Sequence, residues 1–273
     1  MDRSTLVALA KRIPPLYWTA GAVRYAQFRS RLKVAENAYR LNPDRPLPPP
    51  MLRYRVHRAL DEASYLEAGA YVADVIADNA RAAGLVPEGL RILDFASGPG
   101  RVLSQLARRL PGNRFDGSDI DAEAIGWARE HLGNVGTFSV NRPNPPTGYA
   151  DGSFDVVYSV SLFTHLDKDF QFQWLREIKR ILKPGGLLIT TTHGKRCLDT
   201  CTPAELDELA VNGFVFRVDH TGRFKVDGLP DFYQTTFHTE EYVRNRWAEV
   251  MPVERFVEGG VNNHQDLVVL RKA

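Results

Sequence analysis

The feature that most constrains this chain is a strand pattern followed by a glycine turn and a helix pattern, over residues 91–103. A short apolar run predicts a buried strand over residues 91–95, and the apolar residues after Arg101 have helical spacing. Gly98 and Gly100 allow a sharp turn between the two and a close approach of the backbone to a ligand. A helix that begins at such a turn presents unpaired N–H groups. The segment therefore predicts a nucleotide- or nucleoside-binding turn.

Three residues around the turn narrow the class of ligand. A dinucleotide-binding turn carries a third small residue three positions after its second glycine, but this chain has Leu103 there. The carboxylate of Asp94 would repel a pyrophosphate and suits a cationic amino group. Asp119 lies 19 residues after Gly100, close to the roughly 20 that separate a ribose-binding carboxylate from its glycine turn. These residues predict an adenosine that carries a charged amino acid tail.

Beyond the turn, strand patterns and helix patterns alternate, which predicts a mostly parallel sheet wrapped by helices, with ligands at the carboxyl ends of its strands. Seven strands are predicted for the sheet: 91–95, 114–118, 136–140, 154–159, 186–192, 253–258 and 267–271. The helices are predicted at 61–83, 101–110, 122–132, 168–182, 202–211 and 239–250.

Four motifs occur in order along the chain: Leu93–Gly100, Gly117–Asp121, Ser153–Ser159 and Leu182–Gly186. In this order they resemble the class I S-adenosylmethionine (SAM) dependent methyltransferases, over roughly residues 60–273. The resemblance implies a Rossmann-like, mostly parallel sheet of seven strands with helices on both faces. It also implies a methyltransferase that uses SAM as its cofactor.

The resemblance implies a role for each residue around the cofactor. Asp94 would orient the amino group of SAM, Gly98 and Gly100 would cradle the methionine portion, and Asp119 would bind the ribose hydroxyls. Ser159 would border the methionine tail, although a plain turn residue is the alternative at that position.

Three further positions concern the adenine and the turn. Ile120 would cover one face of the adenine, with a place in the core as the alternative. Asn141 stands where an adenine-contacting Asp is common, and its amide can donate or accept a hydrogen bond. Ala96 stands where the family usually has its first glycine, which adds one methyl group beside the cofactor.

Three histidines follow predicted strands and are candidates for a general base, which a hydroxyl acceptor would need: His165, His193 and His264. An imidazole can take a proton near neutral pH. His165 ranks first because it follows the fourth strand, beside the expected position of the methyl group. A histidine that merely orients a loop is the alternative for each.

His193, Cys197 and Cys201 are spaced four residues apart, which would place them on one face of a helix. No fourth ligand is evident, and Gly194 argues against a continuous helix there. We therefore expect no metal site and interpret the two cysteines as packed thiols.

Residues 1–58 are predicted to form a basic helical appendage, with 12 Lys/Arg against 3 Asp/Glu, and residues 59–273 the methyltransferase domain. An amphipathic helix is predicted from Thr19 to Arg40, followed by a proline-rich linker from Asn42 to Pro50. The basic face of the helix could meet an anionic membrane surface or an acidic partner, or simply face water. Residues 194–238 form an insertion after the fifth strand, which we interpret as a substrate-binding cover.

The composition gives no sign of a membrane span, since no segment approaches the roughly 20 apolar residues that a span requires. We expect a cytoplasmic protein, with peripheral membrane contact through the basic helix as a possibility. Nucleic acid is not an expected partner, because the fourth strand ends in Tyr158–Ser161 and lacks the motif typical of base-flipping methyltransferases.

These patterns favour methyl transfer to an oxygen or nitrogen of a small-molecule or glycan-type acceptor, which the polar loops of the cover would enclose. The alternatives are a macromolecular or lipid-linked acceptor docked by the basic helix, and a SAM-binding domain without catalysis.

Overall fold

The computed structural model describes residues 14–85, 88–218 and 229–273, with side chains from residue 21 onward. The described α-helices are α1 (Pro14–Ala38), α2 (Pro50–His57), α3 (Glu62–Ala82), α4 (Leu103–Arg109), α5 (Ala122–Leu132), α6 (Lys168–Ile181), α7 (Pro203–Asn212) and α8 (Glu240–Arg246). The strands are β1 (Arg91–Phe95), β2 (Arg114–Asp119), β3 (Thr137–Val140), β4 (Phe154–Ser159), β5 (Leu182–Thr192), β6 (Phe214–Arg217), β7 (Thr235–His238), β8 (Val253–Val261) and β9 (Gln265–Arg271).

Seven of these strands form one sheet, in the order β3-β2-β1-β4-β5-β9-β8. The first five are parallel, and β9 runs antiparallel to both of its neighbours. The chain moves outward from β1 to β3 and then returns to place β4 on the other side of β1. The strand order therefore reverses at β1, and a doubly wound sheet binds its ligand in the crevice at such a point.

Two apolar layers cover the sheet, because successive strand residues point to opposite faces. On one face, Ile92 of β1 packs with α3, α4 and α5. On the other face, Leu93 packs with α6 and α8. The predicted mostly parallel sheet of seven strands with helices on both faces is confirmed.

The elements differ from the sequence predictions mainly at their ends. The helix predicted over 101–110 begins only at Leu103, because the residues before it form the turn. The helix predicted over 239–250 is α-helical to Arg246 and continues as a 3-10 turn. Strands β6 and β7 pair with each other in a separate antiparallel sheet within the insertion.

Helix α2 was not predicted, because the prolines before it indicated an extended linker through Pro50. Pro50 is instead the first residue of the helix, where its fixed φ angle is already helical and its missing N–H leaves no bond unmade. The predicted division at residue 58 stays a prediction, and α2 lies on the appendage side of it.

Helix α1 presents the predicted apolar stripe toward the rest of the chain. Leu32 is buried, and the ring of Phe28 lies 4.3 Å from that of Tyr54 on α2. The basic side chains of this helix, Arg24, Arg29, Arg31, Lys33 and Arg40, are exposed. Among the described residues, no helix is both long and apolar enough to cross a bilayer.

Candidate active site

A cavity of about 480 Å³ opens at the carboxyl ends of β1, β2 and β4. Six of the predicted cofactor-binding residues line it: Asp94, Ala96, Gly98, Asp119, Ile120 and Asn141. All three candidate histidines line it as well: His165, His193 and His264. The structure therefore brings the predicted cofactor residues and the predicted bases into one cavity.

The last residue of β2, Asp119, holds the glycine turn in place. One carboxylate oxygen accepts a hydrogen bond from the Gly98 N–H at 2.7 Å, and the other accepts from the Asp121 N–H at 2.8 Å. Burial raises the pKa of Asp119, and these backbone donors act in the opposite direction. Since each carboxylate oxygen has two acceptor sites, Asp119 can accept two further hydrogen bonds from ligand hydroxyls.

Next to Asp119 lies Asn141, whose side chain has a buried hydrogen-bond acceptor. The Asn141 N–H donates to the Asp119 carbonyl at 2.9 Å, which fixes the position of the residue. Its side-chain NH₂ donates to the Arg142 carbonyl, while its Oδ1 is buried without a hydrogen-bond partner in the described part of the chain. An unsatisfied buried acceptor costs about 1–3 kcal/mol. The exocyclic amino group of an adenine would satisfy it.

We expect Asn141→Ala to weaken SAM binding about tenfold, because it removes one hydrogen bond worth roughly 1–1.5 kcal/mol. Calorimetric titration with S-adenosylhomocysteine and with its inosine analogue isolates this contact, since inosine lacks the amino group. The wild type should prefer the adenine form and Asn141→Ala should lose that preference. An unchanged preference would place the adenine elsewhere.

Asp94 is buried and lines the cavity. Burial raises its pKa to about 7, and the neighbouring Asp119 carboxylate adds to that rise while the charge of Arg101 opposes it. Arg101 is itself half-buried and donates to the His57 Nδ1 at 3.2 Å. A cation bound beside Asp94 would lower its pKa again, so the site favours a positively charged ligand group.

The backbone between β1 and α4 turns through three residues with positive φ angles: Ala96 at 69°, Gly98 at 52° and Gly100 at 79°. Ala96 is a non-glycine residue in the left-handed region, which costs about 1–2 kcal/mol. A Cβ on Gly98 would lie 2.5 Å from the Val56 Cγ1 of α2. At Gly98 the turn thus combines a left-handed backbone with close contact to a neighbouring helix.

We expect Gly98→Ala to destabilise the protein by about 2–4 kcal/mol, because backbone strain and overpacking add. Gly152→Ala is the matched control, since Gly152 has a φ of 61° and nothing within 4 Å of its would-be Cβ. It should cost only the strain. Combining Gly98→Ala with Val56→Ala should recover the packing part in chemical denaturation. Equal losses for the two single variants would contradict this account.

Two predicted cofactor residues do not line the cavity. A Cβ on Gly100 would meet Leu132 and Phe138, so this glycine serves the packing of α5 and β3 against the turn. Ser159 is fully buried, and its hydroxyl pairs with that of Thr190 at 2.9 Å. This hydrogen bond joins β4 to β5. The assignment of Gly100 and Ser159 to the cofactor stays a prediction.

The three histidines form a cluster at the other end of the cavity. The ring of His193 lies 6.0 Å from that of His165 and 5.8 Å from that of His264. His165 Nδ1 bonds the Gln234 carbonyl, and its ring stacks on Tyr233 at 4.1 Å. Because a carbonyl only accepts, Nδ1 carries the proton and the lone pair of the neutral ring lies on Nε2.

His193 is a neutral imidazole at ordinary pH. Burial, reinforced by the charge of a protonated His264, lowers the pKa of His193 to about 4. The Gln265 side-chain NH₂ lies 3.4 Å from the His193 Nε2 and donates to the Ser161 hydroxyl at 2.9 Å. The histidine end of the cavity thus offers several neutral donors and acceptors.

Some residues of the cavity wall were not predicted from the sequence. The end of α2, Arg55–Arg58, lines the cavity although it was assigned to the appendage. The apolar side chains Leu162, Trp174 and Phe232 line it too. No spacing rule points to these residues, because their positions follow from how α2 and the insertion pack on the sheet.

Three features of the cavity fit SAM. Asp119 has acceptor capacity for ribose hydroxyls, Asn141 has an unsatisfied acceptor for the adenine amino group, and Asp94 favours a cation. The fold and this cavity have the class I, Rossmann-like architecture that the four sequence motifs predict. Residues 92–186 match the family of methyltransferase domains, which covers β1 to the start of β5.

Two curated relatives match part of the chain. A fatty-acid O-methyltransferase from Mycolicibacterium smegmatis is 31% identical over 104 residues, 38% of this chain and 37% of that protein. A ubiquinone/menaquinone biosynthesis C-methyltransferase from Pasteurella multocida is 33% identical over 122 residues, 42% of this chain and 44% of that protein. The chain therefore spans less than half the length of these relatives.

Solved structures share the fold at low sequence identity. A SAM-dependent methyltransferase from Aquifex aeolicus has a TM-score of 0.52 at 16% identity, covering 86% of this chain and 100% of that one. Geranyl diphosphate C-methyltransferase from Streptomyces coelicolor has a TM-score of 0.52 at 13% identity, covering 78% and 79%. These structures support the fold assignment.

Proposed function

We propose that this chain is a SAM-dependent methyltransferase that methylates an oxygen or nitrogen of a small-molecule acceptor. The observation that carries the proposal is the single continuous cavity, which joins the residues suited to SAM with a cluster of three histidines. An acceptor that reacts in this cavity must enter it beside the cofactor, which favours a small molecule over a folded macromolecule.

Asp119 and Asn141 would hold the adenosine of SAM, and Asp94 and the turn at Gly98 would hold its amino acid portion. SAM, when bound, supplies a methyl group that is open to attack by a nucleophile. The chain itself positions the two reactants, and positioning alone can account for much of the rate.

The wall at the histidine end suits an acceptor with an apolar body and one polar reacting atom. Leu162, Trp174 and Phe232 are apolar, while the hydroxyl of Ser161 and the amide of Gln265 offer hydrogen bonds. The name of one relative, a fatty-acid O-methyltransferase, is consistent with such an acceptor. A glycan-type acceptor would find fewer polar partners here.

His165 is the residue we assign as general base for a hydroxyl acceptor. Its Nδ1–H is held by the Gln234 carbonyl and its ring by the stacked Tyr233, so Nε2 keeps a fixed direction with its lone pair. That nitrogen would take the acceptor proton as the oxygen attacks. An uncharged nitrogen acceptor would depend less on a general base.

The test is transfer of isotope-labelled methyl from SAM to panels of fatty acids, phenols, amines and sugars. Products are separated by size, and S-adenosylhomocysteine release is measured in parallel. We expect label in a small product with the wild type and none with Asp119→Ala. His165→Ala should lower turnover on a hydroxyl acceptor, and His131→Ala on α5, outside the cavity, is its control.

Label found only in protein or nucleic acid would overturn the small-molecule proposal and favour docking through the basic helix. SAM binding without transfer to any acceptor class would favour the non-catalytic alternative.

A further inference from the structure

The histidine end of the cavity contains a cluster of possible metal ligands that does not include His165, the proposed base. His193 follows β5, Cys197 lies in the 3-10 helix Lys195–Thr200, and His264 lies in the turn between β8 and β9. One potential ligand atom from each lies within 4.8 Å of the others. Residues 67 positions apart thus meet at one point, which their sequence spacing does not suggest.

The distances within the cluster suit a tetrahedral metal ion. The Cys197 Sγ lies 3.6 Å from the Nδ1 and 3.7 Å from the Nε2 of His264. Zinc binds sulfur at about 2.3 Å and imidazole nitrogen at about 2.0–2.1 Å, which places two such ligands about 3.5 Å apart at a tetrahedral angle. The cysteine and histidine therefore already have the separation of two ligands of one ion.

The surroundings of His193 also fit a bound cation. Its Nδ1 is buried and makes no hydrogen bond within the described ranges, so the ring has unused bonding capacity. A Cβ on the next residue, Gly194, would collide with the Asp266 carboxylate, which therefore lies directly against the backbone here. A carboxylate at this position would offset part of the positive charge of an ion.

We propose that His193, Cys197 and His264 bind a divalent transition metal ion of the zinc type. The ligand set of two imidazoles and one thiolate suits zinc and differs from the oxygen ligands that Mg²⁺ and Ca²⁺ prefer. His193 and His264 line the cavity, whereas Cys197 is buried behind them. Three protein ligands would leave the fourth coordination position of such an ion to water or a substrate atom, as in metal sites of the catalytic type.

This site replaces the arrangement considered from the sequence, in which Cys201 was the third member. Cys201 is outside the cluster and lies instead 3.9 Å from an Arg217 guanidinium nitrogen. His264 takes its place because the β8–β9 turn folds against the 3-10 helix. With His193 and His264 as ligands, His165 is the histidine that is left to act as a base.

The experiment is a titration of the full chain, freed of metal by a chelator, with Co²⁺ followed by absorption. We expect one equivalent to give the visible bands of tetrahedral cobalt and a thiolate-to-cobalt band in the near ultraviolet. Zn²⁺ should displace the ion and remove both signals. The measurement needs neither SAM nor an acceptor, so its outcome is independent of the proposed activity.

Cys197→Ser should abolish the thiolate band, and His264→Ala should weaken cobalt binding by at least a hundredfold. Cys201→Ser is the matched control, because it removes the other buried thiol and should leave the spectrum unchanged. Circular dichroism shows whether each variant is folded. A wild type without the thiolate band, or a band that survives in Cys197→Ser, would overturn the site.

Discussion

Asp119→Ala is expected to weaken SAM binding by roughly a thousandfold, about 4 kcal/mol, because two hydrogen bonds to a charged acceptor disappear together. The same carboxylate holds the N–H groups of Gly98 and Asp121 at 2.7 and 2.8 Å, so the glycine turn also loses its anchor. Calorimetric titration of the folded variant with SAM gives the dissociation constant directly.

Two further variants test whether the Asp119 carboxylate itself is required. Asp119→Asn keeps the size of the side chain but turns one acceptor oxygen into a donor that faces a backbone N–H. It should therefore lose much of the affinity as well. Glu130→Ala removes an exposed carboxylate on α5 and should change neither affinity nor melting temperature. If Asp119→Ala bound SAM as tightly as the wild type, the ribose would have to lie elsewhere.

The sequence predicted the central sheet well because its signals are local. The glycine turn at Gly98 and the carboxylate at Asp119 each follow a buried strand directly. Since parallel strands bring their carboxyl ends to one edge, positions far apart in sequence were correctly predicted to meet. The apolar stripe of α1 was likewise predicted from helical spacing alone, and Leu32 is its buried centre.

The parts that the sequence did not predict depend on long-range packing. The residues of α2 reach the cavity because Val56 packs onto Gly98, a contact between an unpredicted helix and the turn. Gly100 is conformationally a turn residue, but its surroundings are the side chains of Leu132 and Phe138. His264 meets Cys197 only because the β8–β9 turn folds over the 3-10 helix. No local sequence pattern predicts such long-range contacts.

SAM binding is expected to strengthen by about a hundredfold between pH 5 and pH 8, in steps of about tenfold per unit below pH 7. The reason is Asp94, whose pKa burial raises to about 7 in the ligand-free protein. The amino group of SAM would favour the carboxylate form, so binding at lower pH must first remove a proton. The other ionisable groups acting on Asp94 are Tyr158, Asp119 and Arg101.

Calorimetry in two buffers of different ionisation enthalpy measures this proton directly. We expect nearly one proton to be released per bound SAM at pH 6 and far less than one at pH 8. Asp94→Asn should bind SAM weakly and with little pH dependence.

Unfolding gives an independent check on the direction of the pKa shift of Asp94. Because the folded pKa of Asp94 lies above its unfolded value of 3.8, the folded state holds more protons between pH 4 and 7, and stability falls as pH rises through that window. Asp94→Asn should therefore melt higher than the wild type at pH 8 without ligand, while binding SAM less well. A variant that was less stable at pH 8 would mean that the Asp94 carboxylate stabilises the empty site, and the proposed proton release on binding would have no source.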